Sequence, residues 1–228
     1  MASLYRGAPT LSYEIHGWRQ GFRHIAGLDE AGRGPMAGPV VAAAVILDPH
    51  AGAPWWSELR DCKLLTAKQR EGLDARLRET VAWGLGCASS DEIDTIGLIE
   101  ATRQAMLRAL ECLPCRPDLL LIDALLLHDG EASWSQRAIV HGDALSASIA
   151  AASIMAKVER DRLMDGYDDT YPAYGFGHNR GYCTPDHKRA LAEHGPCPIH
   201  RRSFAPVRAF LEGRQLSLDE EQPLDTRD

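Results

Sequence analysis

Residues 38–47 read GPVVAAAVIL, ten positions without a polar side chain. A run this short, rich in β-branched and small apolar residues and opened by Gly-Pro, predicts a strand buried on both faces. RHIAGLDE (residues 23–30) predicts a strand before it and AWGLGCASS (82–90) one after it. DLLLIDALLL (118–127) is the strongest central strand, and RAIV (137–140) is a shorter one. Helical spacing predicts a short amphipathic helix over 12–21 and a longer one over 98–113, closed by Pro114 and Pro117. Within residues 57–81 a loop leads into a polar-faced helix, and DALSASIAAASIMAKVERDRLMDGY (143–167) predicts one long helix whose Ala and Ser faces allow close packing on a sheet.

Strands that come early, with helices alternating later, predict an α/β fold: a mixed five-stranded sheet flanked by helices. From Tyr171 the chain turns rich in Gly, Pro, aromatic and basic residues, which predicts a small C-terminal subdomain of helices and loops (171–208) closing over one edge. Residues 209–228 are expected to form a disordered acidic tail. At 228 residues and 45% hydrophobic the chain fills one sizeable core. No run approaches the roughly 18 apolar residues of a membrane span, nor does the start resemble a signal peptide, so a cytoplasmic protein is expected.

Charge and cysteine refine this picture. The net charge of −7 argues against simple coating of nucleic acid, yet residues 178–208 hold six Lys or Arg and four His against Asp186 and Glu193. The six cysteines are irregularly spaced and are expected to be reduced and mostly buried. The CLPC pair, Cys112 and Cys115, would need two further ligands to hold zinc, so a plain structural role is favoured.

Four carboxylates call for a reason. Asp123 interrupts the most hydrophobic run of the chain, and Asp29 and Glu30 end another apolar strand side by side. Taken singly, Asp123 fits a strand-end residue bonded to backbone amides, and Asp143 fits the N-cap of the long helix. Taken together, acids at the ends of two apolar strands and at the start of the following helix are expected to meet at one edge of the sheet, where sites form in α/β proteins. Read as an oxygen-only set with no histidine beside them, Asp29, Glu30, Asp123 and Asp143 favour a hard cation, Mg²⁺ or Mn²⁺. Paired cations of that kind suit phosphodiester hydrolysis.

GLDEAGRGPMAGPVVAAAV resembles the signature of type 2 ribonuclease H, the bacterial ribonuclease HII family. The resemblance continues through DCKLLT, LLLIDAL, HGDALSASIAAASIMAKVERDRLM, YPAYGFGHNRGYCTPDHKRAL and GPCPIHRRSFAPV, over roughly residues 10–208. It implies a ribonuclease H-like fold, cleavage of RNA in RNA/DNA hybrids, and cutting 5′ of single ribonucleotides embedded in duplex DNA to leave 3′-hydroxyl and 5′-phosphate ends. A role in removing ribonucleotides from DNA follows. It also implies two divalent cations on Asp29, Glu30, Asp123 and Asp143, recognition of the ribose 2′-hydroxyl by Gly32, Arg33 and Gly34, and a sugar contact from Tyr182. Lys63 and Arg180 are expected at phosphates.

The chain departs from the family pattern at Cys62, Leu64, His178, Asn179, Arg180 and Cys183, which bears on affinity more than on chemistry. QLSLD (215–219) resembles a sliding-clamp docking motif but has Asp219 where an aromatic is usual, so a solvated tail is favoured over a weak clamp contact. Two rivals remain: a junction resolvase of the same fold, and a non-catalytic hybrid-binding module whose acids only cap and pair.

Overall fold

The computed structural model describes residues 8–48, 54–60, 62–127 and 134–214. Its centre is a five-stranded sheet of β1 (Ile25–Ala31), β2 (Val40–Ile46), β3 (Ala82–Ala88), β4 (Leu119–Asp123) and β5 (Ser135–Ile139), in the order β3-β2-β1-β4-β5. β2 runs antiparallel to both β1 and β3, while β1, β4 and β5 are mutually parallel. The expected mixed five-stranded sheet is therefore the one observed. Every residue of β2 is buried, as its unbroken apolar run requires.

Helices cover both faces. On one, α4 (Leu98–Glu111) packs Ala101, Ala105, Met106 and Ala109 against Leu28, Ala42, Ala44 and Ile122. On the other, α6 (Ala147–Thr170) sets Ala150, Ala151, Ile154 and Met155 against Ala43 and Val45. The remaining helices are α1 (Ser12–Arg19), α2 (Ala67–Thr80), α3 (Ser90–Ile96), α5 (Gly142–Leu145), α7 (Phe176–Asn179), α8 (Pro185–His194) and α9 (Ala205–Leu211). α2 starts where Thr66 and Gln69 form a capping box.

Several expectations change in detail. α3 lies where the third strand was expected to end: Ser89 accepts from the Glu92 amide and Glu92 reaches back, a second capping box that the sequence displays as S-x-x-E. β4 stops at Asp123, and Ala124 adopts φ 51°, so residues 124–127 leave the sheet. The long helix expected from 143 is broken at Ser146, whose extended backbone separates α5 from α6. The cause is the buried Glu14 of α1, whose Oε1 accepts from the Ser146 and Ser148 hydroxyls at 2.6 Å each and from the Ser148 amide at 2.9 Å. Asp143 therefore does not cap the long helix; Ser146 does, accepting from the Ile149 amide.

All six cysteines are free, but only Cys62 is buried, and Cys87 and Cys112 are exposed, against expectation. The C-terminal helices pack on the loop between β1 and β2: Ala37 joins Met164, Tyr174 and Phe176, and Met36 joins Leu191 and Val207. α9 runs to Leu211, past the boundary expected at residue 208, and QLSLD lies outside the described residues.

Candidate active site

Strand alternation sorts the acids before any side chain is considered. Ala26 and Leu28 face α4, so Asp29 faces α6, where Ser153 bonds to it. Glu30 turns to the opposite face and takes the Arg33 guanidinium at 3.2 Å. On β4, Leu120 and Ile122 face α4, which puts Asp123 on the Asp29 side. The parallel register pairs Leu28 with Ile122, so Asp29 and Asp123 occupy the next step on adjacent strands. Asp143, on α5, reaches the same end of the sheet.

The electrostatics follow. Asp29, 5% exposed, has its pKa raised well above the ordinary aspartate value, first by burial and then by repulsion from Glu30, Asp123 and Asp143. Asp123 is raised too, chiefly by burial; the Gly142 amide, donating to its Oδ1 at 2.8 Å, and the charges of Lys63, His141 and Arg33 oppose that. His141 corrects the reading that no histidine stands beside the acids. It lies two residues before Asp143 and was visible in the sequence.

Asp29, Asp123 and Asp143 thus lie near enough to repel one another, with Glu30 next to Asp29 on the other face, yet among the described residues no group of three or more His, Cys, Asp or Glu side chains is placed so that it could hold a metal ion. The donor set nonetheless fits a hard divalent cation: carboxylate oxygens only, partly desolvated, with mutual repulsion that a cation would neutralise.

The glycine turn follows β1 directly. Gly32 has φ 98°, and a Cβ there would lie 2.0 Å from Arg160 Nε and 2.7 Å from the Pro39 carbonyl oxygen, so both backbone and space demand glycine. Arg33 is half-buried, and Gly34 is exposed at the tip. Lys63 is exposed close to Asp123. Tyr182 is partly exposed and sits beside the turn, because the Gly181 carbonyl accepts from the Met36 amide at 3.0 Å. Arg180 is not an open cation: it is bonded to Asp165 Oδ1 at 2.5 Å and to the Asp161 carbonyl at 2.9 Å, partners a phosphate would have to displace. Asn179, one of the departures, organises this bend through the Tyr174 carbonyl and the Gly181 amide.

Sequence reasoning missed the buried polar residues behind these groups. Glu14 fixes the joint next to Asp143, and Arg160 and Arg201 grip the loop after β1. A buried histidine pair backs Tyr182: His187 Nδ1 donates to the Tyr182 carbonyl at 2.8 Å, and its Nε2 accepts from His200 Nε2 at 3.0 Å. His200 Nδ1 in turn accepts from the Cys197 amide, which assigns both rings as neutral; burial lowers each pKa to about 4. Their sequence signal, apart from lying in the basic segment, is slight.

A sheet in this order, with carboxylates at the C-terminal ends of its two central parallel strands and a glycine turn beside them, defines the ribonuclease H-like class of nucleases. The ribonuclease HII family model matches residues 26–207. A ribonuclease HII of Desulfitobacterium hafniense is 52% identical over 196 residues, 86% of this chain and 74% of its own length. One of Dehalococcoides mccartyi is 47% identical over 205 residues, 90% of this chain and 96% of its own. Among solved structures, the ribonuclease H2 of Pyrococcus horikoshii OT3 superposes with a TM-score of 0.71 at 27% identity, covering 83% of this chain and 98% of its own. The chain belongs to the ribonuclease HII family and is a ribonuclease H enzyme, of a family that uses divalent metal ions. Among the described residues no helix is long and apolar enough to cross a membrane.

Proposed function

We propose that this enzyme hydrolyses the RNA strand of RNA/DNA hybrids and cuts 5′ of single ribonucleotides embedded in duplex DNA, leaving 3′-hydroxyl and 5′-phosphate ends. The observation that carries the reading is Asp29: a buried carboxylate repelled by three others at the open end of the sheet, beside a turn whose tip is exposed. Such an arrangement is costly in a protein that only binds or caps.

Asp29, Glu30, Asp123 and Asp143 would hold two divalent cations, Mn²⁺ or Mg²⁺. When bound, such ions supply activation of water and stabilisation of the departing 3′-oxygen. Arg33 holds Glu30 in place through the 3.2 Å ion pair, and the Gly142 amide orients Asp123. Gly32, Arg33 and Gly34 present backbone to the ribose edge, where the 2′-hydroxyl separates RNA from DNA. Tyr182 packs on the neighbouring sugar. Lys63 contacts a phosphate, and Arg180 does so only after releasing Asp165. Residues 171–208 act as the substrate-contacting part of one domain spanning 1–208.

The test is a DNA duplex with one embedded ribonucleotide, incubated with Mn²⁺, Mg²⁺ or chelator. Cleavage on the 5′ side with either metal and none in chelator is expected, and Asp123→Asn should lose several orders of magnitude while keeping its fold. Sparing that duplex while cutting all-DNA junctions would favour a resolvase instead, and full activity of Asp123→Asn would refute a catalytic metal site. A weak sliding-clamp contact through residues 215–219 rests on sequence alone; equal clamp affinity for the full chain and a chain ending at Glu212 would remove it.

A further inference from the structure

The loop after β1 is held by two fully buried arginines to which the sequence assigned no role. Arg201 is 0% exposed, and its guanidinium donates from Nη2 to the Gly32 carbonyl at 2.5 Å, from Nη1 to the Arg33 carbonyl at 2.9 Å and from Nε to the Gly38 carbonyl at 2.9 Å. Arg160, 1% exposed, holds the returning limb through the Pro39 and Ala37 carbonyls at 3.1 and 3.3 Å. Burying a guanidinium is expensive unless its donors are used, and here a planar fork spends three of them on one turn.

The consequence is directional. No peptide bond among the described residues is cis. In a trans peptide the carbonyl of one residue and the amide of the next point opposite ways. With the Gly32 and Arg33 carbonyls drawn inward to Arg201, the Arg33 and Gly34 amides are turned away from it, toward the side on which Gly34 is exposed. Successive amides aimed to one side form a concave donor site for an oxygen.

We propose that Arg201 is the positioning residue for ribose selectivity: it fixes the two peptide planes whose amides receive the 2′-hydroxyl, without itself touching the substrate. This rests on the ribonucleotide-cleaving function proposed above. Lysine at 201 would keep the charge but has no fork that reaches three diverging carbonyls.

The test measures Kd, with Ca²⁺ replacing the catalytic ion, for a duplex carrying one ribonucleotide and for the all-DNA duplex of the same sequence. Wild type should prefer the ribonucleotide. Arg201→Lys and Arg201→Met should reduce that preference by roughly tenfold, the equivalent of two modest hydrogen bonds, while affinity for the all-DNA duplex stays unchanged. A preference that is unaltered, or affinities that fall together on both duplexes, would overturn the proposal and leave Arg201 a scaffold residue only. A wild-type preference of one would instead remove the ribonucleotide reading itself. Should neither variant fold, the wild-type amide resonances of Arg33 and Gly34 decide: they should shift with the ribonucleotide duplex and not with the all-DNA one, and equal shifts would overturn the proposal.

Discussion

A single methyl group at Gly27 should separate α6 from the sheet. Gly27 lies on β1 facing that helix, and a Cβ there would stand 2.2 Å from the Ser148 carbonyl carbon and 2.5 Å from the Ile149 nitrogen. Ordinary contact begins near 3.4 Å, so the gap must widen by about 1 Å. The atoms struck are helix backbone, which cannot rotate aside as a side chain would. Overpacking of this kind costs about 1–3 kcal/mol, and with no soft neighbour the upper end applies. For a chain of this size about 3 kcal/mol corresponds to a fall in Tm of roughly 6–12 °C. Activity should fall further than stability, because the first turn of α6 continues from α5, which bears Asp143, and about 1 Å of misplacement costs on the order of 100-fold in rate. Gly72 is the internal control. It lies exposed within α2, and a Cβ there meets nothing within 4 Å. Gly72→Ala should therefore stabilise by about 0.5–1 kcal/mol through the helix preference for alanine. Thermal melts and single-turnover cleavage of both variants measure this, and a Gly27→Ala protein that melts with the wild type would refute the close-approach argument.

Three further outcomes are expected. Asp29→Asn should raise Tm in chelator at neutral pH while abolishing cleavage, because the raised pKa means the charged form costs stability in the absence of a cation; a lower Tm would show that the carboxylate stabilises the fold. The His187–His200 pair should make the protein acid-labile. Each imidazole titrates near 4 when folded against 6.5 ordinarily, so the unfolded chain binds protons first and stability is lost as pH falls from 6.5 toward 4. The loss is about 2 kcal/mol per histidine by pH 5, read as urea midpoints across that range, and His200→Gln should flatten the slope. Lys63→Ala should weaken duplex binding evenly across sequences and lower the salt slope by about one; an unchanged slope would remove the phosphate contact.

What the sequence determined by itself was local and periodic. The apolar runs of β2 and β4, the helical spacing of α4 and the Thr66 box of α2 each declare an element, because burial and capping are short-range demands on residue type. The acids at strand ends announced themselves for the same reason: a charge inside an apolar run needs an explanation wherever the chain goes. Tertiary structure decided the rest. Only the parallel register of β1 and β4 sets Asp29 and Asp123 side by side. Only the packing of α1 brings Glu14 to Ser146 and breaks the helix there, 132 residues away in sequence. Arg201 reaches Gly32 across 169 residues, and nothing around either position marks the pairing in advance. Such partners satisfy buried hydrogen-bonding groups, and which groups are buried is known only once the chain has closed on itself.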